Sequence, residues 1–336
     1  MIGLTDSDIL THWALVPPLE VEPIATGTNN RSFLVKSGMH FCVLKWYRNV
    51  GNLERLRFEH KLLGALAAAR LPFAVPTPLP TRTGDTTVEI THDRDVSRFA
   101  LFQHIPGRAA AFGSSVETRR CGEALAILDQ VLDALTLEST VPIPETFGDL
   151  SSIHPSVPDP RAAIEKVFRE QALATALARI VKLAGERWQS CTSDWNAQLI
   201  HGDFYPTNTM MDSGEVSGIL DFEFSGTGYR AMDFTIGLAA FSTKSWDDGC
   251  SWPLVESFAQ GYLRRTPLAE EDLATVPILL LTREVTSLIH WLGRKEHGLT
   301  TVDDLHARAR RLLSLDRWLE AHQTRLVDRL TRIACP

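Results

Sequence analysis

The stretch Leu199-Ile-His-Gly-Asp-Phe-Tyr-Pro-Thr-Asn208, followed thirteen residues later by Asp221 in Gly218-Ile-Leu-Asp-Phe222, decides how this chain is read. It sets a histidine, two aspartates and an asparagine at the ends of short apolar runs. Thr209-Met-Met211 and Ser217-Gly-Ile-Leu220 are strand-like, and Asp212-Ser-Gly-Glu215 between them has turn composition, so the segment predicts a hairpin. If residues 212 and 217 pair, 210 faces 219 and 208 faces 221. Asn208 and Asp221 then stand side by side with Cβ atoms about 5 Å apart. Two such oxygens suit a hard cation such as Mg²⁺, which keeps few protein ligands and completes its shell with water and phosphates. Asp203 lies in a polar loop leaving a strand, free to meet a substrate hydroxyl. This is a phosphoryl-transfer site in outline. The triplet His-Gly-Asp alone would not carry that reading, because a carboxylate at a strand end ordinarily caps a turn or a helix.

Composition narrows the classes. At 336 residues the chain has room for two domains or one large one, and its 44% hydrophobic and 22% charged residues are those of an ordinary globular protein. A net charge of −7 with no basic block argues against a nucleic-acid partner. The five cysteines (Cys42, Cys121, Cys191, Cys250, Cys335) are scattered without a CxxC, which fits reduced thiols rather than a disulfide framework or a zinc site. The N-terminus lacks signal-peptide character, and the apolar run Val276–Leu281 stops at Thr282-Arg-Glu284, short of a membrane span. A soluble, cytoplasmic protein without a membrane partner is expected; the oligomeric state is not legible.

Periodicity divides the chain. A short capped helix over 5–15 precedes strands over 19–47, with a turn at Ser37-Gly38. A helix follows over 52–69, then strands near 86–91 and 98–105. From about 106 the pattern is mostly helical: 114–137, 159–188, 229–242, 252–265, 269–296 and 302–330. The expectation is an α+β bilobal plan, with the change near Phe102-Gln-His-Ile-Pro-Gly107 and a cleft of the kind that binds ligands at such a junction.

The β-rich half lacks GxxxxGK[ST], which excludes a P-loop. Thr26-Gly-Thr-Asn-Asn-Arg-Ser-Phe33 between two strands offers a turn whose backbone N–H groups could cover phosphates, or an ordinary hairpin turn. Lys45 ends a strand, where a lysine is commonly a solvated outward residue. Glu59 in the next helix stands where a carboxylate could hold such a lysine over α- and β-phosphates. The order along the chain, turn, lysine, glutamate, catalytic stretch, carries more than any one of them.

In these residues the chain resembles the aminoglycoside phosphotransferase, choline kinase and homoserine kinase group, which shares the protein-kinase-like fold. The likeness runs over roughly 20–295. It rests on His201-Gly-Asp203-Phe-Tyr-Pro-Thr-Asn208, Gly218-Ile-Leu-Asp221-Phe, Gly228-Tyr-Arg-Ala-Met-Asp233-Phe, Gly27-Thr-Asn-Asn30, Lys45, Glu59 and Ala100–Gly107. The resemblance implies residues 1–105 as a nucleotide-binding lobe. It implies 106–336 as a helical lobe with the catalytic loop, metal site and acceptor pocket. By the same likeness, Asp203 is the catalytic aspartate and Asn208 and Asp221 bind Mg²⁺. Lys45 binds the phosphates of ATP, held by Glu59. Thr26, Gly27, Thr28, Asn29 and Asn30 cover the phosphates, and Gln103, His104 and Ile105 offer backbone groups to adenine. His201 and Asp233 support the loop. The nucleotide turn is not GxGxxG. Asp221 is followed by Phe-Glu223 rather than Phe-Gly; Glu223 could add an oxygen near the metals, but is expected to face solvent or to form a structural salt bridge.

Other readings compete. Gly226-Thr-Gly228-Tyr-Arg-Ala231 fits a dinucleotide fingerprint, yet a hairpin precedes it and helices follow, so the required βαβ repeat is missing. A metal-dependent hydrolase on His201, Asp203 and Asp221 would need further ligands, and no HxH or HExxH spacing supplies them. A non-catalytic nucleotide-binding module would be expected to have lost one of Lys45, Asp203, Asn208 and Asp221. The expected activity is ATP- and Mg²⁺-dependent phosphorylation of a hydroxyl on a small, aminated metabolite or antibiotic, with a homoserine-like acceptor as the alternative. Trp246, Asp247, Asp248, Arg283 and Trp291 are the acceptor candidates. The acidic pair would favour an amine, whereas Arg283 with Trp291 would favour a carboxylate.

Overall fold

The computed structural model describes residues 6–24, 30–47, 53–92, 95–137, 149–191 and 197–335. Two compact units result: Met1–Arg108, Leu137–Val141 and Ser217–Glu223 form the first, and Ala109–Thr136, Pro142–Val216 and Phe224–Pro336 the second.

In the first unit the helix α1 (Asp6–Leu10) precedes the strands β1 (Leu19–Ile24), β2 (Arg31–Ser37) and β3 (His40–Tyr47). The helix α2 (Leu53–Ala68) and the strands β4 (Val88–His92) and β5 (Asp95–Gln103) follow. The five strands form one antiparallel sheet in the order β1-β2-β3-β5-β4. Alternation decides which face each β3 residue meets. Cys42 and Leu44 join Ile9, Leu10, Trp13, Val35, Val88, Phe99 and Leu101 in the core, so Lys45 points to the other face, in register with Ser32 and Ala100. The segment 217–219 belongs here too: Ala74 donates to the Ser217 carbonyl at 2.9 Å and Ile219 donates to the Ala74 carbonyl at 3.0 Å. That stitching holds Asp221, two residues on, in the same unit as Lys45.

The second unit is mainly helical. Its helices are α3 (Ser115–Ala134), α4 (Pro160–Val167), α5 (Gln171–Cys191), α6 (Arg230–Ser242), α7 (Trp252–Leu263), α8 (Glu270–Glu296) and α9 (Val302–Ala334). In chain order the short strand β6 (Arg108–Ala109), whose first residue belongs to the first unit, comes first, and β7 (Ala197–Ile200), β8 (Thr209–Asp212), β9 (Glu215–Ile219, its last three residues in the first unit) and β10 (Gly226–Tyr229) lie between α5 and α6. The helices α3 and α7 pack backbone against backbone. A Cβ at Gly122 would stand 2.4 Å from the Phe258 carbonyl oxygen, and one at Gly261 would stand 2.1 Å from that of Arg119, so a side chain at either would force the helices apart. Phe204, Phe234, Phe241, Phe258 and Tyr262 fill the centre at ring separations of 4.9 to 6.4 Å. The helix α8 is long and apolar enough to span a membrane by composition, but 61% of that stretch is buried inside the protein, as in a core helix.

One helix predicted over 159–188 is two. Asp159 caps α4 and Pro160 opens it, but Phe168 leaves the helix at φ −92°, ψ 99° and is buried against the His306 ring. Val167-Phe-Arg-Glu170 holds no glycine or proline, so nothing local marks the break; burial of one aromatic ring outweighs helix propensity. The strand β10 runs antiparallel to β7, so the Gly226–Ala231 fingerprint does not sit in a βαβ unit.

Candidate active site

Lys45 lies among three carboxylates of the first unit. Its Nζ is 3.2 Å from Asp221 Oδ1, 3.6 Å from Glu59 Oε1 and 3.6 Å from Glu223 Oε2. Both Lys45 and Glu59 are buried, with side chains 14% and 7% exposed. Burial works against the ammonium, but Glu59, Tyr47, Asp221 and Glu223 outweigh it and hold its proton far more tightly than usual. Glu59 feels burial most, with Lys45 pulling the other way, and its carboxyl is pushed up to about 7. A lysine held this way is a fixed point charge directed away from bulk water, suited to phosphate. Asp221 has φ +65°, a conformation that few non-glycine residues adopt and one in which aspartate is enriched.

Glu223 does not face solvent. Besides Lys45, it accepts from Asn30 Nδ2 at 2.5 Å, while its backbone carbonyl accepts from Arg55 Nε at 2.9 Å. It is a structural ion-pair partner, and the departure from Phe-Gly was the signal that pointed to it. Of the expected nucleotide turn, Thr26, Gly27, Thr28 and Asn29 lie outside the described residues, and Asn30 is engaged by Glu223. Gln103 N–H donates to the Thr77 carbonyl at 3.0 Å and His104 N–H to that of Phe41 at 3.4 Å, while Ile105 is buried.

In the second unit β7 delivers His201-Gly202-Asp203. Gly202 has φ +78°, and a Cβ there would stand 2.6 Å from the Phe224 carbonyl oxygen, so only glycine fits this bend. Asp233, fully buried on α6, pins the bend: its Oδ2 accepts from His201 N–H at 2.6 Å and its Oδ1 from Gly202 N–H at 2.8 Å. The buried His201 ring accepts from Asp203 N–H at 3.2 Å, and Ser225 Oγ donates to the His201 carbonyl at 3.2 Å. Asn208 Nδ2 reaches back to the Asp203 carbonyl at 3.0 Å and to Asp203 Oδ2 at 3.2 Å. That leaves the Asn208 side-chain oxygen as the atom available to a cation. Asn208 and Asp221 fall in different units, because the division runs between Val216 and Ser217.

The acceptor candidates separate. Arg283 on α8 donates from Nη2 to Asp203 Oδ1 at 3.2 Å. Against the cost of burial, Tyr205, Asp203 and Glu284 reinforce its charge. Two arginines of α9 stand nearby: Arg311 Nε pairs with Glu284 at 2.7 Å, and Arg308 lies 4.3 Å over the Trp291 ring and donates to Ser287 Oγ at 3.2 Å. Sequence reasoning missed Arg308 and Arg311, because charges on a long amphipathic helix read as a solvated face. Trp246 is in the core, 5.0 Å from the Trp318 ring, rather than on a pocket wall. Asp247 accepts from Ser314 Oγ and lies 3.6 Å from Arg317, and Asp248 is exposed. Asp247 is thereby tied to α9 instead of to Asp203.

Residues 20–273 match the model of the phosphotransferase enzyme family, and the chain belongs to that family. A homoserine kinase of Allorhizobium ampelinum is 27% identical over 307 residues, covering 87% of each chain, and one of Phenylobacterium zucineum is 24% identical over 279 residues, 82% of this chain and 81% of the relative. Among solved structures, a microcompartment-associated aminopropanol kinase superposes with a TM-score of 0.68 at 20% identity, covering 95% of this chain and 98% of that one. An amicoumacin kinase in complex with AMP-PNP, Ca²⁺ and amicoumacin gives 0.66 at 16% identity, over 97% and 94%. The fold is protein-kinase-like. The chain is an ATP-dependent phosphotransferase whose acceptor is a hydroxyl of a small molecule.

Proposed function

We propose that this chain uses ATP and Mg²⁺ to phosphorylate a small hydroxy acid carrying a carboxylate, of which homoserine is the type. The observation that carries the acceptor class is Arg283 on Asp203 at 3.2 Å, with Arg308 and Arg311 beside it. Three guanidinium charges against Asp203 and Glu284 leave an excess of one positive charge next to the reacting position. Such an excess attracts an anionic acceptor and disfavours a polyamine. Asp247 and Asp248, which would have favoured an amine, are engaged elsewhere or exposed. The names of the two homoserine kinases support the same class.

Asp203 orients the acceptor hydroxyl and accepts its proton as the oxygen attacks, with Asn208 fixing the carboxylate through Nδ2. Lys45, steadied by Glu59, neutralises donor phosphate oxygens. Asp221 and the side-chain oxygen of Asn208 are each hard donors of the kind Mg²⁺ takes, and the ion when bound would supply charge neutralisation on the phosphates. His201 and Asp233 hold the loop. The reduced thiols Cys42 and Cys121, both buried, suit a cytoplasmic enzyme.

ADP release measured against L-homoserine, an aminopropanol, choline and an aminoglycoside tests the acceptor. L-Homoserine is expected to give the highest kcat/KM. Arg283→Gln should raise its KM by about 10- to 100-fold, the worth of one charged hydrogen bond, with the KM for ATP unchanged. Preference for an amine without a carboxylate, or an unmoved homoserine KM in the variant, overturns this acceptor class.

A further inference from the structure

Behind the catalytic loop three polar side chains meet in an otherwise apolar interior: Asp129 of α3, Asp233 of α6 and Tyr262 of α7, each fully buried. The backbone contact of α3 with α7 at Gly122 and Gly261 brings the first and third together. Asp129 Oδ2 accepts from the Tyr262 hydroxyl. Its Oδ1 is buried and accepts from no donor among the described residues, yet the carboxyl is within hydrogen-bond reach of the carboxyl of Asp233. Two carboxylates in contact cannot both be ionised in a dry site, so one keeps a proton. Asp233 accepts from two backbone N–H groups, at 2.6 and 2.8 Å. Asp129 has only the phenol. Around Asp129 the other polar neighbours are Gln198, whose amide donates to the Asp129 backbone carbonyl at 3.1 Å, and Arg230, whose charge only partly offsets the burial.

We propose that Asp129 is a neutral carboxylic acid that donates a hydrogen bond to Asp233, and so acts as a positioning residue for the catalytic loop. The chain of contacts is continuous: Tyr262 O–H to Asp129, Asp129 O–H to Asp233, Asp233 to the N–H groups of His201 and Gly202, and from that bend to Asp203. With the proton in place one oxygen of Asp233 is held by the acid while both are held by the loop N–H groups. An error near 1 Å in a reacting group costs on the order of 10²-fold in rate. Burial and the neighbouring Asp233 charge raise the Asp129 carboxyl well above its ordinary range. A group raised on folding costs nothing below its unfolded value and costs progressively more as pH rises toward its folded value, so replacing it by a neutral isostere relieves a cost that grows with pH.

The test compares Asp129→Asn, which keeps a donor, with Asp129→Leu, which does not, in the full-length enzyme. The Asn variant should keep kcat within about threefold and melt at or above wild type, with its advantage increasing from pH 5 to pH 8. The Leu variant should lose about 10²-fold in kcat with the KM for ATP nearly unchanged. Infrared difference spectra, wild type minus Asp129→Asn at pH 8, should show a protonated-carboxyl C=O stretch. If Leu fails to fold, the Asn variant and the spectrum still decide. A carboxylate band in place of the acid band, or an Asn variant as impaired as Leu, overturns the proposal.

Discussion

Replacing Lys45 by methionine removes the one ammonium that stands between Glu59, Asp221 and Glu223, and the structure gives the size of the effect. At 3.2 to 3.6 Å each attraction is about 4–5 kcal/mol gross at an effective dielectric constant near 20, before desolvation is subtracted. Removing one partner of a buried pair typically costs about 3–5 kcal/mol, because the remaining charge stays buried. Here Asp221, 36% exposed, contributes little after screening, and the loss comes mainly from Glu59 and Glu223. For a unit of ordinary size, about 2–4 °C per kcal/mol converts this to roughly 6–20 °C in Tm at pH 8. At pH 5 the Glu59 carboxyl, raised to about 7, is protonated in both proteins. The ion pair is then weaker in the wild type, so the difference should shrink by about half. Thermal melts of both proteins at the two pH values make the measurement, with Lys45→Arg as a charge-conserving control. A shift below about 1 kcal/mol at pH 8, or the same shift at both pH values, would refute the reasoning.

Two further outcomes follow from the same geometry. Glu59→Gln should flatten the stability profile between pH 4.5 and pH 7: a carboxyl raised on folding contributes stability below its unfolded value and loses it as pH rises to about 7, a change of about 3 kcal/mol. Melts of variant and wild type in parallel across that window check it, and parallel curves count against it. Asn208→Ala and Asp221→Ala should each raise the Mg²⁺ concentration for half-maximal turnover by at least about tenfold, since each removes an oxygen ligand. An unchanged Mg²⁺ requirement in both would remove them from the metal site.

What could be read in the chain was whatever is encoded locally or repeated in order. His201–Asn208 and the run around Asp221 announce themselves through turn chemistry and apolar strands, and Lys45 and Glu59 through their place before them; the structure brings that pair to 3.6 Å. What stayed hidden depends on long-range packing. Asp129 lies in Ala124-Leu-Ala-Ile-Leu-Asp-Gln130, where an acid on a helix reads as solvated, and only the approach of α7 shows that it is buried. Arg308 and Arg311 sit on α9, more than a hundred residues after Asp203, and nothing local ties them to it. The break at Phe168 has no breaker residue, and the burial of Trp246 is decided by Trp318 across the unit. Asp247 was a reasonable acceptor candidate by charge alone, and its attachment to Ser314 cannot be inferred without the path of α9.

The central claim, that Asp203 orients and deprotonates the acceptor hydroxyl during transfer from ATP, is tested most directly by Asp203→Asn. Phosphorus NMR would follow phosphomonoester formation from ATP, Mg²⁺ and the best acceptor of the panel, with nucleotide affinity measured by calorimetry on the same samples. The account predicts a phosphomonoester signal with wild type, a loss of about 10²- to 10⁴-fold in kcat for the variant, and an unchanged nucleotide affinity. A variant that keeps more than about half of wild-type kcat would contradict it, because no general base or orienting group can be so nearly dispensable.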